Sequence, residues 1–335
     1  MKVNPAAPQP EKNAAARARI GTILVPTDFS EESLKALDYA AALLREFPGT
    51  LHLVHVRDLD YSYAVPPLLM VEPIIANEEM ERVNASALRD LAAKYVQSGQ
   101  EVTAHVKIGR AFDAICAVAR VIEADLLVIA THGHTGLKHL MLGSTAERVV
   151  QHSPCPVLVV REKEHDIVET SARGTRVRLR KILVPMDFSA CARHGLHYSV
   201  ALAKVHGARL VLLHSIQVPP VIPTERYGAY DRLPSAAVLE RTAREQMHKV
   251  VSEMDFAGVP YETIIDVGRP AHQICGYAAE FGVDMIVTST HGLTGFSHVL
   301  IGSTAEHVVR YARCPVLVIP RHRGCAGADG KAMAP

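Results

Sequence analysis

An internal repeat constrains this chain more than any other feature of its sequence. Residues 23–30 read ILVPTDFS and residues 182–189 read ILVPMDFS, while 131–150 and 290–309 agree at 13 of 20 positions. Both pairs are separated by the same offset of 159 residues. Because chance similarity does not keep one offset over half a chain, the sequence indicates a tandem duplication of a whole domain, not a solenoid of short units.

The duplication divides the 335 residues into two predicted domains, in line with roughly 150 residues per domain. We predict these domains at residues 20–161 and 178–320, joined by a charged, polar linker at 162–177. The flanking segments 1–19 and 321–335 lack apolar periodicity, so we predict that they are disordered tails.

Apolar residues alternate between strand and helix rhythms within each repeat, and the first repeat serves as the example. We predict strands at Ile23–Pro26, Leu51–Val56, Val102–Ile108, Leu126–Ala130 and Pro156–Val160, and helices at Glu31–Phe47, Glu78–Ser98, Ala111–Ile122 and Ser144–His152. Alternating strands and helices form a parallel sheet with helices on both faces. The predicted fold is therefore α/β, with two Rossmann-like repeats that each contain an open five-stranded parallel sheet.

Composition excludes several classes of protein. A net charge of +1 and an aromatic content of 5% without Trp argue against a nucleic-acid-binding protein. No apolar run reaches the ~18 residues of a membrane helix, so no membrane partner is expected. The six Cys residues form no Cys-x-x-Cys pair and mostly lie in apolar segments, which predicts reduced, buried thiols and a cytoplasmic protein.

Two loops carry the candidate chemistry, because ligands of such sheets bind beyond the carboxyl ends of the strands. The first loop follows strand one and contains Thr27 and Asp28, and Asp28 is also compatible with an N-cap of the next helix. The second follows strand four and runs through three glycines to Ser144. These glycines permit positive φ and let backbone N–H groups approach an anion closely. We predict that Ser144 with Glu147, and Ser303 with Glu306, form capping boxes at helix N-termini that favour phosphate.

The same loop also contains three histidines, but a metal site is not predicted. His132, His134 and His139 lie close together, whereas the second repeat has Leu293 in place of His134. No Cys or carboxylate follows with ligand spacing. The loop lacks the Gly-Lys-Ser/Thr end of a Walker A motif as well.

The spacing Gly133–nine residues–Gly143-Ser144, the VPTDFS strand end and the terminal CPVLVV strand together resemble the universal stress protein family. The resemblance covers both predicted domains. It implies a fold like that of adenine-nucleotide alpha-hydrolases, pairing through the last strand, and ATP or another adenine nucleotide as ligand, with or without Mg²⁺. It also implies a cytoplasmic role in the stress response.

The family motif, Gly-x-x-Gly-nine residues-Gly-Ser/Thr, is carried over position by position. Its first glycine falls on Ala130 in repeat one and on Ser289 in repeat two, where a positive φ would cost about 1 kcal/mol or more. The family's acidic residue near the adenosine corresponds to Asp28, and its apolar residue near the adenine to Val56. The predicted nucleotide-binding residues are Pro26, Thr27, Asp28, Val56, Ala130, Gly133, Gly136, Gly143, Ser144 and Thr145 in the first repeat, and Pro185, Asp187, Ser215, Ser289, Gly292, Gly295, Gly302, Ser303 and Thr304 in the second. Because Ser215 is polar where the first repeat has Val56, we expect a weaker second site.

Three functions remain open at the level of sequence. A nucleotide-binding stress protein without catalytic residues is favoured, since phosphoryl transfer requires charge neutralisation and the loop contains no P-loop Lys. A slow ATP hydrolase at the same loops and a nucleotide-free interaction scaffold are the alternatives. In each case we expect the repeats to pair within the chain through Val157–Val160 and Val316–Ile319, which leaves a further homodimer open.

Overall fold

A computed structural model describes residues 20–57, 71–95, 101–131, 142–161, 166–171, 174–217, 235–290 and 301–321, with only the backbone of 71–78, 170–171 and 174–175. Repeat one contains β1 (Thr22–Pro26), α1 (Glu31–Glu46), β2 (Thr50–Arg57), α2 (Val71–Tyr95), β3 (Glu101–Ile108), α3 (Ala111–Val121), β4 (Leu126–Ala130), α4 (Ser144–His152) and β5 (Val157–Val160). The predicted tails, apart from residue 321, lie outside these ranges.

Repeat two has the same element order, and a short hairpin precedes it. The hairpin consists of β6 (Val168–Ser171) and β7 (Gly174–Val177). The repeat itself contains β8 (Lys181–Pro185), α5 (Ala190–His206), β9 (Arg209–Ile216), α6 (Ala236–Glu253), β10 (Tyr261–Val267), α7 (Pro270–Glu280), β11 (Met285–Ser289), α8 (Ser303–Tyr311) and β12 (Val316–Ile319). The alternation that the sequence predicts is confirmed, except that α2 begins at Val71 instead of Glu78. Pro73 lies in its first turn, where the missing N–H has no intrahelical partner to lose.

All the large strands belong to one ten-stranded sheet in the order β10-β9-β8-β11-β12-β5-β4-β1-β2-β3. The five strands of each repeat run parallel, and β12 joins β5 in antiparallel register, with Leu317 opposite Leu158. This confirms the predicted pairing through the last strands. An antiparallel junction is what a two-fold relation between two copies of one domain produces.

Helices cover both faces of the sheet, and the strands alternate between them. In β1, Ile23 and Val25 pack on the face covered by α1, α2, α5 and α6, while Leu24 packs with α3, α4, α7 and α8. All three side chains are fully buried. Residues of both repeats belong to each of the two clusters, so the core is continuous across the β5–β12 junction.

An aspartate fastens the start of strand one in each repeat. Asp125 Oδ2 accepts the backbone N–H groups of residues 21–22 at 2.9 Å. Asp284, its counterpart, accepts those of Arg180 and Lys181 at 2.8 Å. Charge-assisted hydrogen bonds of this kind are stronger than neutral ones. They fix the amino ends of β1 and β8 beside those of β4 and β11.

The segment predicted as a polar linker is partly structured. Ile167 is 1% exposed and its N–H donates to Tyr39 Oη at 3.3 Å, while Lys35 pairs with Asp166 at 2.9 Å. Val177, at the end of the hairpin, is buried as well. The hairpin therefore packs on α1, and the charged composition of this segment concealed two apolar anchors.

Polar and charged side chains also join the two repeats. His206 Nδ1 lies 3.0 Å from Glu46, and the His206 side chain is 3% exposed. Arg310 contacts Glu147 of the other repeat at 3.6 Å and Glu306 of its own helix at 3.0 Å. No helix within the described ranges has the length and apolarity needed to cross a membrane.

Candidate functional site

Each repeat has a topological switch point at the carboxyl ends of its strands. In repeat one the order β3-β2-β1-β4-β5 reverses direction between β1 and β4, and in repeat two between β8 and β11. A crevice forms there because the connections from the two strands leave toward opposite faces. The loop after strand one and the N-terminus of the helix after strand four meet at this crevice.

The turn from β1 into α1 has a defined hydrogen-bond pattern. Thr27 is buried, and its Oγ1 accepts the N–H of Phe29 at 3.0 Å. Asp28 Oδ1 accepts from Ser30 N at 3.1 Å and from Ser30 Oγ at 2.5 Å. Ser30 in turn caps the helix through Ser33 N at 3.2 Å. The N-cap is therefore Ser30, and Asp28 orients that cap from the loop.

A left-handed phenylalanine shapes this turn in both repeats. Phe29 and Phe188 both have φ 67°, a conformation that costs a non-glycine residue about 1–2 kcal/mol. In repeat two, Asp187 Oδ1 accepts from Ser189 N at 3.0 Å, and Ser189 caps α5. Strained residues of this kind concentrate at functional sites, because the surrounding structure must hold them.

One histidine in each repeat holds the strained phenylalanine turn in place. His55 Nδ1 lies 2.8 Å from the Thr27 carbonyl oxygen, and His214 Nδ1 lies 2.7 Å from that of Met186. Since a carbonyl only accepts, Nδ1 carries the proton and donates in both rings. Each ring also packs on the left-handed phenylalanine of its repeat, with centroids 4.8 and 4.4 Å apart. The constant offset of these histidines was the only sequence signal for this role.

The N-terminus of α4 differs from the predicted capping box. Gly143 is the N-cap, with φ −60° and no side-chain cap, and Ser144 is already the first helical residue. The Gly143 N–H donates to the Thr131 carbonyl at 2.7 Å, and its carbonyl accepts Glu147 N at 3.0 Å. A hydroxyl inside the first turn cannot cap its own helix, so the capping-box prediction is wrong in both repeats.

Donors remain available at this helix end. An α-helix leaves its first N–H groups without intrahelical partners, here those of Ser144, Thr145 and Ala146. The helix dipole adds partial positive charge at the same place, so the N-terminus favours an anion. In repeat two the corresponding helix begins at Ser303, and Ser303 and Thr304 line a cavity.

Glycine is an accepted N-cap residue, but the backbone conformation at this N-cap does not require it. Gly302 has φ −71° and ψ 143°, which any residue adopts, and Gly143 has φ −60°, so neither uses the positive φ that glycine permits. Among the described residues, a Cβ at Gly302 would have the Thr290 carbonyl oxygen, 3.6 Å away, as its one close neighbour. Neither the backbone conformation nor the packing of the described residues excludes a side chain here.

The two departures from the family motif cause no backbone strain. Ala130 is paired with Val160 and Ser289 with Ile319 as regular strand positions. Neither has positive φ. The cost expected from replacing the first glycine is therefore absent. The glycines predicted between the strand and the helix, Gly133, Gly136, Gly292 and Gly295, lie outside the described residues, as do His132, His134 and His139.

The described part of repeat two encloses a cavity of about 490 Å³ at the switch point, within the usual range of ligand sites. Seven of the predicted residues line it, namely Pro185, Asp187, Ser215, Ser289, Gly302, Ser303 and Thr304. Sequence reasoning missed the side of the cavity formed by α6 and α7, which consists of Leu239, Thr242, Ala243, Gln246, Pro270 and Ile274. Those residues belong to helices that carry no motif.

The hydroxyl of Ser215 does not leave an unpaired polar group in the second site, which its polarity had led us to expect. Its hydroxyl donates to the Gly268 carbonyl at 2.9 Å, so its donor is already satisfied within the fold. Val56, the counterpart in repeat one, is partly buried and packs against the core. The two repeats therefore differ at this position without an unpaired polar hydrogen in the second.

Three of the described cysteines have thiols of low reactivity. Burial raises the pKa of the Cys116, Cys155 and Cys275 thiols to about 11. These three groups are protonated at neutral pH, and a thiol is a poor nucleophile compared with its thiolate.

The fold and the site define a class: a duplicated α/β protein with an anion-favouring helix N-terminus at the switch point of each repeat. The family model of the universal stress protein family matches residues 19–161 and 178–320, and the chain belongs to that family. Universal stress protein Rv2005c of Mycobacterium tuberculosis is 24% identical over 302 residues, which cover 88% of this chain and 96% of that protein.

A solved structure that covers both repeats has the same fold. A universal stress protein from Archaeoglobus fulgidus superimposes with a TM-score of 0.62 at 22% identity, covering 92% of this chain and 98% of that one. A universal stress protein in complex with cAMP matches 42% of this chain and 95% of its own at 25% identity, with a TM-score of 0.30.

Proposed function

We propose that this universal stress protein binds ATP or a related adenine nucleotide at the switch point of each repeat, and that the bound state regulates a stress-response partner. The observation that carries this proposal is Gly302. Among the described residues, neither backbone conformation nor packing requires a glycine here, and its lack of a side chain keeps the N-terminus of α8 open toward the 490 Å³ cavity. A phosphate group is the ligand that best uses that opening.

The other walls of the cavity suit the remaining parts of a nucleotide. Leu213 of β9 and Leu239 and Ala243 of α6 provide apolar surface for a base. Asp187 faces the cavity beside the strained turn and would accept hydrogen bonds from ribose hydroxyls. The phosphates would then extend to Ser303 and Thr304, in keeping with what the family resemblance implies.

Binding without turnover is favoured over hydrolysis. The described lining of the cavity contains one carboxylate, Asp187, and no Lys or Arg. Phosphoryl transfer needs cations or metal-binding carboxylates around the transferred group. We therefore assign no catalytic residue, and Mg²⁺ would arrive with the nucleotide, not in a site made by the protein.

A cytoplasmic location is part of the proposal. The described cysteines, Cys116, Cys155, Cys191, Cys275 and Cys314, are all free. Four of them are buried, and such thiols persist in a reducing compartment.

Calorimetric titration with ATP tests the proposal, with and without Mg²⁺, on the wild type and on Gly143→Val and Gly302→Val. We expect saturable binding with up to two sites, and each variant should remove one of them. A parallel assay of phosphate release should stay at background. Absence of heat together with an unchanged melting temperature in millimolar ATP would refute the proposal.

A further inference from the structure

A second cleft lies at the amino ends of the strands of repeat two, whereas the candidate nucleotide site lies at their carboxyl ends. It has a volume of about 440 Å³ and occupies the space between the β6–β7 hairpin and the amino ends of β8 and β9. We call it the hairpin cleft, lined by Asp166, Glu169, Arg178, Arg180, Lys181, Arg209, Gly282 and Asp284. The described lining contains no aromatic or apolar side chain, so a base or a lipid would find no surface there.

Two of its three carboxylates are neutralised by neighbours. Glu169 pairs with Arg176 at 2.9 Å and more closely with Arg178, and these cations hold the pKa of its carboxyl below the usual value. Asp166 pairs with Lys35 at 2.9 Å, and Lys35 does not line the cleft. These two carboxylates therefore attract the remaining cations only weakly.

The third carboxylate faces the protein backbone. Asp284 is 8% exposed, and its Oδ2 accepts two backbone N–H groups at 2.8 Å. Its Oδ2 is therefore engaged by those donors. The cleft thus contains carboxylates without presenting a free one to a ligand.

Three of the cations that line the hairpin cleft have no acidic partner among the described residues. Within the described ranges, the side chains of Arg180 and Arg209 make no ion pair and are exposed. Lys181 Nζ donates to the Phe281 carbonyl at 2.8 Å, a neutral partner that leaves its charge uncompensated. Three cations therefore border one small cleft, and guanidinium groups bind phosphate oxygens in a bidentate manner.

The first repeat provides an internal control. At the positions equivalent to Arg180, Lys181 and Arg209 it has Gly21, Thr22 and Thr50, at the same offset of 159. The strands β1 and β2 start there without any cation, so the fold does not require the three charges. They are a property of repeat two alone.

The position of Gly282 also makes the second repeat less negative than the first. Its counterpart, Glu123, has φ 50° and Gly282 has φ 58°, so the backbone is alike. A Cβ at Gly282 would meet no atom within 4 Å. The second repeat therefore lacks a carboxylate that the first repeat places at this wall.

We propose that the hairpin cleft binds a small, multiply charged phosphate anion of the inorganic oligophosphate class. Arg180 and Arg209 would hold its terminal oxygens, with Lys181 as a third charge. This inference does not depend on the proposed nucleotide site, which lies at the carboxyl ends of the strands and is lined by other residues.

The experiment uses the full chain with Gly143→Val and Gly302→Val already introduced, and titrates inorganic tripolyphosphate at low and moderate salt. Arg209→Thr, which restores the residue of repeat one, should weaken binding by about tenfold, the loss of one hydrogen bond between charged groups. Gly282→Glu should weaken it as well by charge repulsion. Arg120→Gln, at an exposed position of α3 in repeat one, removes one positive charge far from the cleft and should leave the affinity unchanged.

Melting temperatures check that each variant folds, which is expected because Arg209 is exposed and Glu123 shows that a carboxylate fits at this backbone position. Equal affinity of the parent, Arg209→Thr and Gly282→Glu would overturn the assignment. Absence of tripolyphosphate binding to the parent would overturn it too. Neither result would affect ATP binding by the chain with both N-cap glycines intact, so the two proposals are tested separately.

Discussion

Replacing Gly302 by Ala separates a ligand role of this glycine from a structural one. The added Cβ would lie 3.6 Å from the Thr290 carbonyl oxygen, in ordinary contact, at a φ of −71° that alanine accepts. Removing a glycine from a compatible conformation stabilises by about 0.4–1 kcal/mol. The poorer N-cap preference of alanine costs a similar amount, so the free energy of unfolding should change by less than about 1 kcal/mol.

The nucleotide affinity should change much more than the stability. A methyl group at the N-cap would move a phosphate away from the first N–H donors of α8. Loss of one charge-assisted hydrogen bond is worth roughly 1.5–3 kcal/mol, which corresponds to a Kd increase of roughly 10- to 150-fold. Calorimetry in a Gly143→Val background isolates the site of repeat two, and urea denaturation measures the stability.

A matched glycine serves as the control. Gly276 lies exposed within α7, and a Cβ there would meet no atom within 4 Å. Gly276→Ala should raise the free energy of unfolding by about 1 kcal/mol through helix propensity and leave the Kd for ATP unchanged. An unchanged Kd in Gly302→Ala would refute the reasoning. A stability loss of several kcal/mol in Gly302→Ala would show instead that the fold requires this glycine.

Three further predictions concern stability. Asp284→Ala removes two charge-assisted hydrogen bonds, and urea denaturation should show a loss of about 2–4 kcal/mol. Burial lowers the pKa of His206, so the unfolded chain binds a proton at this residue more readily than the folded chain does. The stability that neutral His206 contributes is therefore complete above about pH 6.5 and is lost as the pH falls through the pKa of the folded state. Between pH 7 and pH 5, the melting temperature of His206→Leu should fall less steeply than that of the wild type. Arg310→Gln introduces the glutamine that repeat one has at position 151 and weakens the contact with Glu147. The free energy of unfolding in urea should fall by at most about 1 kcal/mol, because both charged groups are partly exposed.

Each of these has a result that contradicts it. An average hydrogen bond contributes roughly 1 kcal/mol to the free energy of unfolding. If Asp284→Ala lowers that free energy by less than about 0.5 kcal/mol, the strand starts are held by packing alone. A pH slope in His206→Leu as steep as that of the wild type would exclude this histidine as a contributor. Salt insensitivity of the Arg310→Gln effect would show that the arginine acts through its contacts rather than its charge.

Much of the candidate site was open to prediction from sequence because its signals are local. The repeat offset located both copies, and apolar runs such as Leu126–Ala130 identified the strands whose ends form the switch point. The Gly-Ser step marked the start of α4 within one residue. What failed was the exact N-cap, since Gly143 or Ser144 could fill that position and only the contact with the Thr131 carbonyl decides between them.

Other features depend on which elements meet in space. Sequence reasoning treated the segment before Arg180 as a plain linker, although Ile167 and Val177 anchor it on α1. It assigned no role to His214, because the carbonyl that the Nδ1 of this residue contacts belongs to a different strand end. The α6 wall of the cavity was invisible for the same reason.

The sequence by itself determined the duplication, the α/β class, the family and the strand ends at which a ligand would bind. These follow from periodicity and spacing, which chain neighbours encode. Only the tertiary structure decided that Gly302 is a helix N-cap on the wall of a cavity, that His55 and His214 hold the strained turns, and that cations from the hairpin and two strand starts share one cleft. Those are contacts between residues far apart in the chain, and packing alone sets their distances.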